Sequence, residues 1–309
     1  MTFSLTTKLK GLDVTVKFPW KVGIVTFMAF PNATDAKSVK EALKTIADDG
    51  FFDEVEIPIY PDEIWNEIKD LLKEKEIIVG GALQPDILTN KLSIHTENEE
   101  ERRKAIEYVK SKIDLAAKRG INVVALCSGS DPGLEKRDKE RKLLIEALKE
   151  ICSYAKERNV QILLEPFDRD YDRKLLIGPL IEAVDVVKEV RKEYSNVGVL
   201  WDLSHAPMLE EKPEDLKQYK EFIAHIHVGC AKREGDTFKD THPTFYTPGA
   251  VNDVSDVARL FKVLYEIGYK GIVTLEIKPE PQQTSLEIIN NAKGVFLRAF
   301  EIMVKGILT

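Results

Sequence analysis

From Lys21 onward the chain repeats one alternation eight times: a short apolar run, then a longer segment whose apolar residues recur at helical spacing. Residues 21–28 (KVGIVTFM) lead into 33–49, where Val39, Ala42, Leu43 and Ile46 share a face and Gly50 supplies a C-cap. The same pairing follows at 53–57 with 61–75, at 77–80 with 99–119, at 121–126 with 134–158, and at 162–165 with 175–193. It continues at 197–202 with 214–221, at 222–227 with 251–268, and at 271–276 with 286–302. Strands that alternate with helices build a parallel sheet, and eight such units in one chain fit a closed (βα)8 barrel better than an open doubly wound sheet. The open sheet would want a Gly-rich phosphate turn after an early strand, and the first turn reads FMAFPNAT. The one Gly/Ser-rich turn, Ser128 to Gly133, follows the fourth strand and lacks the Walker lysine. The expectation is an α/β protein with a single barrel domain over 21–309. Before it, residues 1–20 form a short extension, where Leu12, Val14, Val16 and Phe18 alternate as in a ribbon.

Four of the apolar runs end on groups able to bind a metal or move a proton. QILLEPFD ends its run on Glu165 before a proline that cannot continue a ladder, GVLWD ends on Asp202, IAHIH on His227 and IVTLE on Glu276. In a (βα)8 barrel the C-terminal strand ends share one rim, so residues spread over more than a hundred positions become neighbours. Three carboxylates brought that close repel one another, and they either keep a proton or draw in a cation. With one imidazole they make a cage for one divalent metal ion, hard or borderline: Mn, Mg, Co or Zn.

Composition narrows the partners. A formal net charge of -7 and a pI near 5.5 give no general attraction to nucleic acid or anionic lipid. No apolar run has the length of a bilayer span and the N-terminal MTFSLTTKLKG lacks a signal-peptide core, so no membrane association and a cytoplasmic location are expected. Cys127, Cys152 and Cys230 lie far apart and form no CxxC pair, which argues against a disulfide framework or a zinc knuckle.

Taken in order, LLEPFD, LWDLSHAP, HIHVGCAKR and VTLEIKP resemble the xylose isomerase-like TIM-barrel superfamily, in particular the sugar isomerases and epimerases related to D-tagatose 3-epimerase. The resemblance implies that Glu165, Asp202, His227 and Glu276 hold one divalent metal. It further implies that Glu165 and Glu276 are the catalytic acid-base pair, and that His205 and Arg233 contact substrate oxygens. A small carbohydrate is then the partner, and a homodimer or homotetramer is expected by analogy. The chemistry is self-consistent. A metal chelated by the carbonyl and the neighbouring hydroxyl of a ketose stabilises the enediolate formed when the intervening proton leaves. A carboxylate on each face inverts the centre, whereas one carboxylate working between adjacent carbons interconverts aldose and ketose. Both outcomes stay open.

One departure concerns the substrate. Six residues after its first Glu the sugar-epimerase pattern often places another Glu, and here Tyr171 stands there, flanked by Asp170 and Asp172 as substitutes. Arg169 and Arg173 in the same stretch would suit an acid or phosphate group, so sugar acids and keto-inositols stay within range. Other polar residues receive plainer readings. His225 shares a face with His227 one layer deeper and reads as structural; His95, in SIHTENEEE, reads as a solvated residue of an N-cap region; Lys232 and Lys278 read as solvated lysines near the rim; Glu56 ends the second strand with an accessory role at most. The rival activity is an endonuclease IV-like metal-dependent phosphoesterase. Asp240 and His242, thirteen and fifteen residues after His227, resemble that enzyme's D-x-H, which with the counterpart of His205 binds an additional zinc. Its two further histidines have no match in IPIYPDE or LCSGSDPG. A dehydratase or lyase on the same barrel is the third reading, and a non-catalytic binding protein the last.

Overall fold

The computed structural model describes residues 3–9 and 11–308. Strands β1 (Ser4–Leu9) and β2 (Leu12–Lys17) form an antiparallel ribbon, the alternating segment expected ahead of the barrel. Phe18 anchors it: fully buried, it stacks on Phe3 at 4.5 Å and meets Phe300 edge-on at 5.1 Å.

The chain then runs through β3 (Lys21–Val25), the short α1 (Thr26–Ala29), α2 (Ala36–Asp49), β4 (Glu54–Pro58), α3 (Asp62–Glu74), β5 (Ile78–Ala82), α4 (Gln84–Asn90) and α5 (Glu99–Lys118). Next come β6 (Val123–Cys127), α6 (Leu134–Lys156), β7 (Gln161–Glu165), α7 (Leu180–Arg191) and β8 (Val197–Asp202). Last are β9 (Ile223–Val228), β10 (Lys232–Glu234), β11 (Thr237–Lys239), α8 (Val254–Glu266), β12 (Ile272–Leu275) and α9 (Ser285–Leu308). Eight of these strands close a parallel barrel in the order β12-β3-β4-β5-β6-β7-β8-β9, the (βα)8 architecture read from the alternation. Strand pairing follows burial: Ile162 to Glu165, for instance, is buried on both faces, and β7 pairs with β6 through Cys127↔Glu165 and with β8 through Leu164↔Val199. Among the described residues no helix is long and apolar enough to cross a membrane.

Several elements depart from the sequence expectation. The helix expected from 175 starts at Leu180, because Phe167 and Ile177 pair their backbones, Ser130 and Leu175 form a bridge, and Pro179 caps the helix. The sixth helix is reduced to a 3-10 turn, Pro213–Lys217, with only Pro213 and Leu216 buried. The run 21–28 read as a strand ends at Val25 and turns into α1, and α4 and the β10/β11 hairpin, in what reads as a long loop, were likewise unforeseen.

Side chains inside the barrel divide into two patches. Ala125, Leu163 and Leu200 pack together on the β6, β7 and β8 side. Opposite them runs a polar seam made by Glu54 and Glu56 of β4, His225 and His227 of β9, and Thr274 of β12, all buried. Gly23 and Gly80 make room for it, since a Cβ at either would run into the Glu54 carboxylate. Thr274 Oγ1 donates to Glu54 Oε2 at 2.9 Å and lies 3.0 Å from His225 Nε2, which is 2.7 Å from Glu56 Oε1. His225 thus lies below the rim, within this seam.

Candidate metal centre

Glu165 and Asp202 are the last residues of β7 and β8, His227 is next to last in β9, and Glu276 follows β12. One donor atom from each of the four lies within 4.8 Å of every other. Three are buried and Glu276 is partly buried. His227 Nδ1 is 2.7 Å from Glu276 Oε2, while its other nitrogen, Nε2, is 3.0 Å from Glu56 Oε1. Gln84, on α4, donates from Nε2 to Glu165 Oε2 at 2.7 Å, and the buried Glu165 Oε1 has no hydrogen-bond partner among the described residues. Asp202 accepts from Ser204 N at 2.8 Å and from Ser204 Oγ.

The electrostatics follow from this crowding. Burial, reinforced by Glu276 and Asp202, pushes the Glu165 carboxyl up to about 8 against the pull of His227 and His205. Burial works against a charged His227, yet Glu56 and Glu276 hold the imidazole well above its ordinary range. Burial likewise works against an ionised Glu56, but His227 and His225 keep it below the ordinary carboxylate range. An orphaned buried oxygen, a carboxyl forced to keep its proton, and three carboxylates with one imidazole converging make a donor set that fits a divalent cation.

A second group adjoins the first. Asp202, His205 and His242 also present donors within 4.8 Å of one another. Asp240 Oδ1 lies 2.7 Å from His242 Nε2 and 3.2 Å from His205 Nε2. His205 Nδ1 donates to Pro166 O at 3.0 Å and Nε2 faces Asp240; burial works against a charged ring, yet Asp202 and Asp240 hold the imidazole well above its ordinary range. Despite its burial Asp240 is held well below the ordinary carboxylate range by His242 and His205, and His242 is raised to about 9 by Glu276 and Asp240 against the burial penalty.

The quartet lies beside a cavity of about 330 Å³. Glu165, His227 and Glu276 line its floor; Phe27, Met28, Pro31, Leu88 and Phe167 form an apolar wall. Arg173, Lys278 and both members of the D-x-H, Asp240 and His242, line it as well. Arg233 is not among the lining residues. It sits on β10, exposed, with its guanidinium 5.3 Å over the Phe238 ring. Arg169 faces away from the cavity, bonded to Glu182 and to Leu176 O. Tyr171 packs edge-on against Phe238 at 5.1 Å, and Asp172 accepts from Asp240 N at 3.0 Å. Lys232 pairs with Glu280. The reading of His95 as solvated is wrong: it is 1% exposed with Nδ1 2.6 Å from Glu140 Oε2, because α6 packs over a segment whose sequence neighbours are charged. Gln84 was missed altogether, since a lone Gln after a strand carries no signal until α4 turns it back over the rim.

Barrel and rim together place the chain among (βα)8 proteins that gather their polar groups at the C-terminal strand ends. Within that class the chain belongs to the xylose isomerase-like TIM-barrel family, whose model matches residues 37–292. No curated protein matches it in sequence. Similar solved structures include an L-ribulose 3-epimerase, 17% identical with a TM-score of 0.75, the match covering 93% of this chain and 97% of the other. Another is a D-psicose 3-epimerase from Clostridium cellulolyticum H10 with D-tagatose, 19% identical with a TM-score of 0.69, covering 92% and 98%. A third is the IOLI protein with a zinc atom, 18% identical with a TM-score of 0.70, covering 92% and 98%. At these identities the likeness is one of fold.

Proposed function

We propose that the chain is a divalent-metal-dependent isomerase or epimerase acting on a small sugar or sugar acid. The observation that carries this reading is the convergence of Glu165, Asp202, His227 and Glu276 within 4.8 Å, beside a small cavity that Glu165, His227 and Glu276 line. All four hold the ion, Asp202 and His227 as ligands alone, Glu165 and Glu276 also as proton carriers. The named activities of the similar structures, two of them sugar 3-epimerases and one carrying zinc, lie in the same class.

A divalent cation held there supplies, when bound, positive charge against the substrate oxygens next to the reacting carbon. The other steps belong to this chain's own side chains. Gln84 fixes Glu165 by donating to Oε2, which leaves Oε1 directed at the site. Glu56 accepts a hydrogen bond from Nε2–H of His227 and so leaves Nδ1 facing the quartet, the support that a ligating imidazole commonly has. One carboxylate removes the proton from the carbon beside the carbonyl: when the other returns one from the opposite face the centre inverts, and when the same one delivers it to the adjacent carbon aldose and ketose interchange. The test is deuterium uptake from heavy water across a panel of ketoses, which reports both the activity and the carbon involved. Uptake that depends on added Mn, Mg, Co or Zn is expected; its absence from every sugar, neutral or acidic, would rule the reading out.

The group formed by Asp202, His205 and His242 favours a second reading, a multinuclear phosphoesterase. Against it, the ends of the second and fourth barrel strands offer Glu56 and Ser128 and no imidazole. Elemental analysis separates the two, with one metal per chain expected for the isomerase and two or three for the phosphoesterase. Nicking of abasic-site DNA is expected only of the latter. Substitution of His242 by Ala should spare a one-metal enzyme more than one that uses this residue as a ligand.

A further inference from the structure

The mouth of the cavity carries two cations, each mounted on the segment from Asp240 to His242. Arg173 reaches it through its side chain: Nε donates to Asp240 Oδ2 at 2.7 Å and Nη2 to Asp240 O at 3.1 Å. Lys278 reaches it through its backbone, N donating to His242 O at 2.7 Å. The loop bearing Arg173 is itself built for the purpose. Asp168 is fully buried, and its carboxylate accepts from the amides of Tyr171, Asp172 and Arg173 at 2.8, 2.7 and 2.7 Å. Such a three-amide grip fixes the backbone from which the guanidinium projects.

Both cations keep unused capacity. Nη1 of Arg173 has no protein acceptor, and the Lys278 ammonium has neither an ion pair nor a hydrogen bond, among the described residues. Nearby cations are otherwise committed: Arg169 to Glu182, Lys232 to Glu280 and Lys239 to Asp172. Arg173 is itself paired with Asp240, so what stands open is its Nη1 and the Lys278 ammonium. A neutral sugar gives no reason to leave these charged donors free at a cavity mouth, since its hydroxyls are served by uncharged donors and acceptors. The floor, crowded with carboxylates, would repel an acid group. A substrate with one anionic end would therefore enter with that end held outward and its carbonyl end on the floor. At about 330 Å³ the cavity stands at the small end of ligand sites, the size for a single sugar unit.

We propose that the substrate is an anionic monosaccharide, a sugar acid or a sugar phosphate, whose charged group is bound by Arg173 and Lys278. This deepens the isomerase reading and rests on it. The experiment uses the metal-loaded protein and a panel of 2-ketohexoses, each offered as the neutral sugar, the 6-carboxylate and the 6-phosphate, with deuterium uptake as the readout. The expected result is a kcat/KM at least about tenfold higher for one charged form than for its neutral counterpart, carried mainly by KM and eroded by added salt. The form preferred tells carboxylate from phosphate. In Arg173→Gln and in Lys278→Met the charged-to-neutral ratio should fall toward one; Lys278→Met removes no hydrogen bond or ion pair made among the described residues, and a thermal melt of this variant matching the parent's keeps a folding defect from obscuring the result. Neutral ketoses exchanging as well as their charged forms, with the ratio unmoved in both variants, would overturn this inference and leave the isomerase standing. No exchange with any member would end both.

Discussion

The two halves of the barrel rim do different jobs, although both are built from the same strand-and-helix unit. In the half made by β7, β8, β9 and β12, each strand ends on a group that faces the common centre: Glu165, Asp202, His227 and Glu276. In the half made by β3, β4, β5 and β6, the rim is mostly wall, with Phe27, Met28 and Pro31 beside the cavity. Glu56 and Gln84 of this half spend hydrogen bonds on members of the other, Glu56 on His227 and Gln84 on Glu165. On the proposed reading, one half carries the chemistry and the other aims it. On the rival nuclease reading, two further imidazoles would have to come from the supporting half, where Glu56 and Ser128 stand instead.

If that division is right, the largest losses come from the half that carries the chemistry. Glu276→Gln and Glu165→Gln should each lower deuterium uptake by about 10²- to 10⁴-fold, the contribution of a positioned base. Full uptake in Glu276→Gln with metal still bound would remove its proton-transfer role. In the supporting half, Glu56→Gln should spare the fold and weaken metal binding by about tenfold to a hundredfold, as loss of a carboxylate behind a ligating imidazole does. Competition with a chelator reads this without reference to turnover. An unchanged affinity would reduce Glu56 to a packing residue. Metal uptake should also depend on pH. The Glu165 carboxyl, raised to about 8 chiefly by burial, must lose its proton to bind the ion. Affinity should therefore climb as pH rises, by about tenfold per unit for each displaced proton, and go on climbing past 8, because the His227 imidazole, which despite its burial Glu56 and Glu276 hold well above its ordinary range, must also release a proton. A flat profile from pH 6 to 8 would mean that neither group holds a proton there without metal.

The same two halves were unequally legible in the sequence. The chemical half could be read because each donor sits where an apolar run stops, as in LLEP or LWD, and a charge at such a junction stands out. The eight-strand closure was legible for a related reason, since the alternation repeats with few interruptions. The supporting half was not. Glu56 lies in DEVEI, where two acids alternate as they would on a solvated strand, and only closure turns both inward toward His225 and His227. Gln84 depends on α4, seven residues long with only Gln84 and Ile87 buried, too short for a periodic signal. The hairpin β10/β11 has three-residue strands that cannot show alternation. His95 was misjudged because burial by a distant helix leaves no mark on neighbouring residues. Side chains that act through another residue are set by tertiary geometry, and spacing along the chain does not record it.

The smallest effect tests whether the supporting half extends below the rim. Glu54, one layer under Glu56, is pushed up to about 7 by burial first and by Glu56, against the pull of His225 and Thr274. A carboxyl whose folded value lies above its ordinary 4.5 gives stability that is complete below pH 4.5 and lost as pH rises through 7. Glu54→Gln keeps an acceptor for Thr274 Oγ1 and removes the titration. The Tm of the metal-free variant relative to its parent should then increase between pH 5 and pH 9, by at most about 3 kcal/mol in stability. Since Glu165 is present in both proteins, its own titration cancels in the difference. A Tm difference that stays constant over that range would mean that Glu54 ionises freely in the folded chain and that the polar seam beneath the rim is open to water there.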